Sequence, residues 1–175
     1  LKSAKQELTA EMRQVLASYQ RPKADAVIGG IPVDSEYIIF VIDTSGSMQR
    51  FAWPQVRQKM KEILDIYPRV KGVQVLNDMG DYKFSQYSGN WIPDSKARRR
   101  AILDRLSSWA PFSNSSPVEG ITKAIHRFYA SDKRISLYVF GDDFSGGLMQ
   151  NVVDTVRSKN AAGSKSSRVR IHTIG

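Results

Sequence analysis

Three short stretches hold most of the side chains that could do chemistry. Asp43, Ser45 and Ser47 alternate in the run Asp43-Thr44-Ser45-Gly46-Ser47, directly after the apolar stretch YIIFVI. Gly141-Asp142-Asp143 follows a second apolar stretch, ISLYVF, and Ser113-Asn114-Ser115-Ser116 lies between the two, just ahead of Pro117. A carboxylate with hydroxyls at alternate positions suits a hard divalent cation, because Mg²⁺ takes about six oxygens and keeps several of them as water. One or two carboxylates plus hydroxyls then suffice, and the shell stays open to an acidic group from outside. Gly46 is expected to permit a tight turn that lets both hydroxyls face the ion. The competing reading is a loop in which Asp43 and the serines cap the next segment by side-chain hydrogen bonds. The apolar strand ahead of the loop and the full five-residue pattern favour the metal.

The elements that must position these loops follow from hydrophobic patterning. Tyr37–Ile42 and Ile135–Phe140 are unbroken apolar runs, the mark of strands buried on both faces. Pro54 opens a helix whose Val56, Met60, Ile63, Leu64 and Tyr67 share a face, and Pro68 closes it. Residues 70–76 (VKGVQVL) predict a second strand and 82–87 a short third one. Asp94 or Ser95 caps a basic helix that turns Ile102, Leu106 and Trp109 inward. Pro117 starts a helix with Val118, Ile121, Ile125 and Phe128 on its buried side, and Ser116 can cap it. Met149, Val152, Val153 and Val156 mark one more helix, and residues 168–174 the last strand. This alternation predicts an α/β fold, Rossmann-like and doubly wound, with a largely parallel central sheet flanked by helices. In such a sheet ligands bind where loops leave the carboxyl ends of the strands, which is where the three stretches fall.

Ahead of this unit, Leu8, Met12, Val15, Leu16 and Tyr19 form a helical stripe within residues 1–20, ended by Pro22. Residues 21–35 hold two prolines and Gly29-Gly30 and read as a connector with a short strand at 26–28. The expected division is therefore 1–35, an N-terminal helical arm and linker, and 36–175, the α/β domain. The arm either connects to another segment or packs on the domain. No helix pattern follows the last strand, which predicts a domain truncated at its C-terminal end and one sheet face incompletely covered.

Composition bounds the function. With no cysteine, thiolate metal sites and cysteine nucleophiles are excluded. No apolar run is long enough for a transmembrane segment. The 26 Lys and Arg against 17 Asp and Glu give a net charge of +9, which favours partners of acidic sign. These cations are dispersed, apart from Arg98-Arg99-Arg100 and a diffuse group near the end, and both read as solvated faces. Nucleic-acid binders concentrate Arg and Lys with interleaved aromatics on one face, so no specific nucleic acid is expected. His126 and His172 stand alone and read as surface or structural residues rather than catalytic ones.

The segment IIFVIDTSGSM closely resembles the first strand and metal loop of von Willebrand factor type A (VWA) domains, whose metal ion-dependent adhesion site (MIDAS) follows a D-x-S-x-S pattern. By residue, Asp43, Ser45 and Ser47 occupy that pattern. The family adds a threonine from a second loop and an aspartate from a third. Asp142 matches the aspartate, with Asp143 as the alternative, because VFGDD stands where the family has a strand followed by Thr-Asp-Gly. Ser116, or Ser115, stands in for the threonine; it keeps the hydroxyl and loses the methyl, which bears on affinity. RVRIHTIG also resembles the family's late strand, so the resemblance runs from about Tyr37 to Gly175.

The resemblance implies a bound Mg²⁺ or Mn²⁺ and a protein partner whose acidic residue completes the shell, hence adhesion rather than catalysis. Phe51, Trp53 and Trp91 are candidates for an apolar rim, although Trp53 can equally pack beside the start of its helix. Three other readings stand beside this one: basic-surface binding, a structural domain with a vestigial metal site, and a hydrolase using Asp43 and Asp142. The hydrolase lacks parts. Aspartic proteases need glycine where Ser45 stands, subtilisin-like proteases need nucleophile and histidine segments that are missing, and haloacid dehalogenase-like phosphatases need a second acid at Ser45.

Overall fold

The computed structural model describes residues 12–15, 27–28, 31–106, 108–109, 113, 116–142, 149–164 and 166–175. Strands Val27–Ile28 (β1) and Ile31–Pro32 (β2) form a small antiparallel pair. The main sheet comprises Tyr37–Ile42 (β3), Gly72–Asn77 (β4), Ile92–Pro93 (β5), Ile135–Phe140 (β6) and Arg170–Ile174 (β7), in the order β5-β4-β3-β6-β7. All pairings are parallel except that of the edge strand β5 with β4. The helices are Trp53–Ile66 (α1), Lys96–Leu106 (α2), Pro117–Phe128 (α3) and Met149–Asn160 (α4). The expected α/β architecture, mostly parallel and flanked by helices, is thus present.

Strand β3 explains why its sequence is apolar throughout. Ile38, Phe40 and Ile42 point into a core closed by Val56, Met60 and Leu64 of α1 and Ile102 and Leu106 of α2. Tyr37, Ile39 and Val41 point the other way, onto Ile121, Ala124, Ile125 and Phe128 of α3. A central strand with helices on both faces leaves no position where a polar side chain could reach water. Helix α4 lies beside α3 and touches this second core through Val156.

Several details depart from the sequence expectations. Residues 82–87 do not form a strand: Tyr82 makes a single bridge to Leu76, and Ser85–Tyr87 is one turn of 3₁₀-helix. The buried Gln74 amide donates to the Tyr87 and Asn90 carbonyls at 3.0 and 2.6 Å, satisfying them without a strand ladder. Ladder pairing resumes only after Trp91. Trp109 lies beyond α2 and packs half-buried on the core. Met149 is exposed, not inward, and no residue of α4 is fully buried.

The basic triplet is not a solvated face throughout. Arg99 bonds both oxygens of the buried Asp94 at 2.7 and 2.6 Å and also donates to the Leu64 and Tyr67 carbonyls. Ser95, not Asp94, caps α2, its hydroxyl receiving the Arg98 N–H at 3.2 Å. Asp94 instead receives the Val70 N–H.

Most of the N-terminal arm lies outside the described residues. Its turn at 12–15 is helical, Val15 is buried, and Met12 packs on the α3-side core. Among the described residues no helix is long and apolar enough to cross a membrane.

Candidate metal centre

Three parallel strands hand over to loops side by side. Past its last residue each stays stitched to a neighbour: the Asp43 N–H donates to Phe140 O at 2.9 Å, Asp78 N–H to Ile42 O at 3.0 Å, and Gly141 N–H to Ile174 O at 3.2 Å. From β3 the chain crosses to β4 on one side, while β6 and β7 lie on the other. The carboxyl ends of β3 and β6 therefore flank a topological switch point, where open parallel sheets present a crevice. Asp43 and Gly141-Asp142 leave those two ends.

Asp43 is 3% exposed. Its Oδ1 receives the Ser45 N–H at 2.7 Å, which folds the loop back on the carboxylate. Its Oδ2 is buried with no hydrogen-bond partner. The Ser45 and Ser47 hydroxyls lie 3.2 Å apart and so present their oxygens to the same side. Ser47 is exposed and Ser45 buried, placing the pair at the mouth of the loop. Gln49 fixes the loop from behind, its amide donating to Thr44 O at 2.7 Å.

Gly46 does not supply the turn expected of it. It sits in helical backbone without a positive φ, and a Cβ there would meet nothing within 4 Å. The turn is made by a helical start at Gly46-Ser47 that runs into a π-helical turn, Met48–Ala52, and then α1. Any small residue fits that backbone. At Gly141 the situation differs, because a Cβ there would stand 3.8 Å from the unpartnered Oδ2 of Asp43. Its absence leaves room beside that oxygen.

Two further residues belong to this cluster: Asp78, which the sequence did not single out, and Ser113, which it placed in the second loop without a ligand role. Asp78, wholly buried at the end of β4, receives the Thr44 N–H and hydroxyl at 3.3 Å each. Ser113 donates its hydroxyl to Asp78 Oδ2 and lies 3.5 Å from Asp43 Oδ1. Asp78 carries the same sign as Asp43 and Asp142, an acid directly after a core strand. The sequence pattern ends that strand at residue 76, and the polar Asn77 separates the acid from it.

Ser116 stands at the N-cap of α3 in extended backbone, yet its side chain makes no capping bond. The cap reading of that hydroxyl is therefore not what holds it. Asp142 is exposed at the end of β6. Ser115 and Asp143, the alternatives for these positions, lie outside the described residues.

Burial pushes the Asp43 carboxyl above its ordinary value. The Ser45 N–H and hydroxyl act against this, and the charges of Asp78 and Asp142 add to it. The charges of Asp78 and Asp142 disfavour the ionised form of Asp43, and a divalent ion beside it would offset that. Among the described residues no group of three or more His, Cys, Asp or Glu side chains is placed to hold a metal. An ion here would depend on hydroxyl oxygens beside Asp43, a set that suits Mg²⁺ or Mn²⁺ and not a soft metal. The donor chemistry, the unpartnered Oδ2 and the gap at Gly141 fit such an ion.

Of the three aromatics considered for an apolar rim, only Phe51 is strongly exposed, at 77%. Trp53 is half-buried on the core with its indole N–H donating to Leu106 O at 3.1 Å. Trp91 packs between Tyr37 and Phe128 with tilted rings, at centroid distances of 4.4 and 4.6 Å, and with its Cβ against Gly72 at the opposite end of the sheet. No protein-family model matches this chain, and no curated protein matches it.

Proposed function

We propose that this chain is a VWA-like, metal-dependent protein-binding domain rather than an enzyme. Asp43, Ser45 and Ser47 would hold Mg²⁺ or Mn²⁺, with Ser116 and Asp142 completing the protein's share. When bound, the ion would offer an open coordination position to a carboxylate of the partner. The observation that carries this reading is the Asp43 Oδ2, buried and without a partner while Oδ1 is engaged. An uncompensated buried carboxylate oxygen is costly, and a hard cation is the compensation its hydroxyl neighbours suit.

The surroundings support protein binding at this end of the sheet. Phe51, Met79 and Met149 are the exposed large hydrophobics among the described residues. All three lie on segments that follow the carboxyl ends of β3, β4 and β6. Apolar side chains around a charged centre match the anatomy of an interface, in which a few anchors surround a desolvated polar contact.

The test is calorimetric titration of Mg²⁺ and Mn²⁺ into the wild type and Asp43→Ala. One site present in the wild type and lost in the variant, with circular dichroism unchanged, is the expected result. A folded wild type that takes up neither ion overturns the reading. Ser116→Ala and Ser113→Ala, titrated in parallel, separate the two hydroxyls of the second loop.

A further inference from the structure

A second surface runs along the flank of the molecule, starting beside the loop that follows β3 and leading away from it. A groove of about 1330 Å³ runs between α1 and α2, from Gln49 and Arg50 at one end to Pro68 and Arg69 at the other. It follows the whole of α1, roughly 21 Å for 14 residues at about 1.5 Å each. Seven basic side chains line it against three acidic ones. Each acid is already taken: Asp104 by Arg57 at 2.8 Å, Asp65 by Lys61 at 2.5 Å, and Asp94 by Arg99 at 2.6 Å. Arg50, Lys96 and Arg100 are exposed and add their charge to that balanced set. Lys96 and Arg100 are four residues apart, on one face of α2.

The groove is prebuilt. Arg99 ties the first turns of α2 to the end of α1 through Asp94 and the Leu64 and Tyr67 carbonyls, so the spacing of the two helices is fixed before anything binds. Leu64 and Leu103 supply an apolar floor beneath the charged rims.

We propose that this groove docks an acidic polypeptide segment of a partner protein, with its carboxylates against Arg50, Lys96 and Arg100. A polypeptide suits it better than a nucleic acid for two reasons. The cations Arg50, Lys96 and Arg100 are spaced apart, with the paired Asp65 and Asp104 exposed on the rims between them, which does not match a chain carrying a charge at every nucleotide. A peptide can place uncharged residues opposite them. The aromatics of the lining also offer little for stacking: Tyr67 is buried, and Trp53 packs half-buried on the core with its indole N–H bonded to Leu106 O. The docking uses no metal ion and so stands apart from the Asp43 centre.

The experiment uses the whole chain in chelator and a fluorescein-labelled peptide of alternating Glu and Ala, about eight residues long, enough to span the groove when extended. Fluorescence anisotropy should report binding that weakens with salt and is not given by the matching Gln-Ala peptide. Arg50→Glu, Lys96→Glu and Arg100→Glu combined should weaken it at least about tenfold, since charge reversal makes the contact repulsive. Arg157→Glu with Lys159→Glu, on the exposed face of α4, should leave it unchanged. Circular dichroism checks that the reversed variants fold. The proposal is overturned if the Glu peptide does not bind, if the α4 variant loses binding equally, or if an oligothymidylate of equal charge binds more tightly through the same three residues. Chelation keeps the outcome separate from that of the metal titration.

Discussion

Asp78 at the end of β4 holds Thr44 in the loop after β3 by two bonds of 3.3 Å to one carboxylate oxygen, while its other oxygen receives the Ser113 hydroxyl. One buried side chain thus ties together the first and second loops of the candidate centre. It touches neither hydroxyl of the Ser45–Ser47 pair. Its effect is on position.

Asp78→Ala should therefore loosen the loop rather than remove a ligand. The buried Thr44 N–H loses its partner, which costs about 1–3 kcal/mol of stability. Metal affinity should fall roughly 10- to 100-fold, as for other residues that orient ligands from behind. Amide exchange at Thr44 should quicken even without metal. Unchanged exchange at Thr44 would mean that the clamp is not what holds the loop.

Gly120 sits in α3 where the helix meets the end of β4. Its N–H donates to Asp78 O at 2.7 Å, and a Cβ would lie 2.5 Å from Asn77 O and 2.8 Å from Val41 Cγ1. Backbone cannot yield there as a flexible side chain could. Gly120→Ala should lower stability by about 1–3 kcal/mol, the usual cost of overpacking, read as a shift of the urea midpoint at constant slope. Gly46→Ala is the contrast, since a methyl there meets nothing, and its midpoint should not fall. Equal shifts in the two variants would refute the packing argument.

His172 on β7 stacks on the Tyr138 ring at 4.7 Å, with its Nε2 buried and unpartnered. Burial, and then the charge of Arg170, holds its imidazole below the ordinary value of 6.5. The folded chain thus prefers the neutral ring. As pH falls through 6.5 the unfolded chain takes up the proton first, so this stability is full above that pH and is lost below it. His172→Phe keeps a ring against Tyr138 and removes the titration. The fall in Tm from pH 7 to pH 5 should shrink in the variant; an identical fall in both proteins would exclude His172 as a source of it.

Much of this molecule was legible from local pattern. The unbroken runs of β3 and β6, the prolines bounding α1 and the start of α3 gave the alternation of elements, and the five-residue loop at Asp43 gave the candidate centre. Local pattern misled where a side chain did the work of a ladder, as Gln74 does for residues 82–87. It also misled where a charge found a buried partner: Arg99 looked like one of three solvated arginines, and only the closeness of Asp94 and the end of α1 makes it a tie.

The sequence by itself determined the four parallel strands and the four helices, though not the edge strand β5, and that acids and hydroxyls follow the core strands. These are consequences of hydrophobic period and of side-chain type, both carried by near neighbours in the chain. Tertiary structure alone decided that Asp78 and Ser113 join Asp43, that Trp91 belongs to the far end of the sheet, and that basic side chains from two helices share a groove. Those outcomes depend on strand order and helix approach, which bring together residues tens of positions apart and leave no mark in the spacing of either segment.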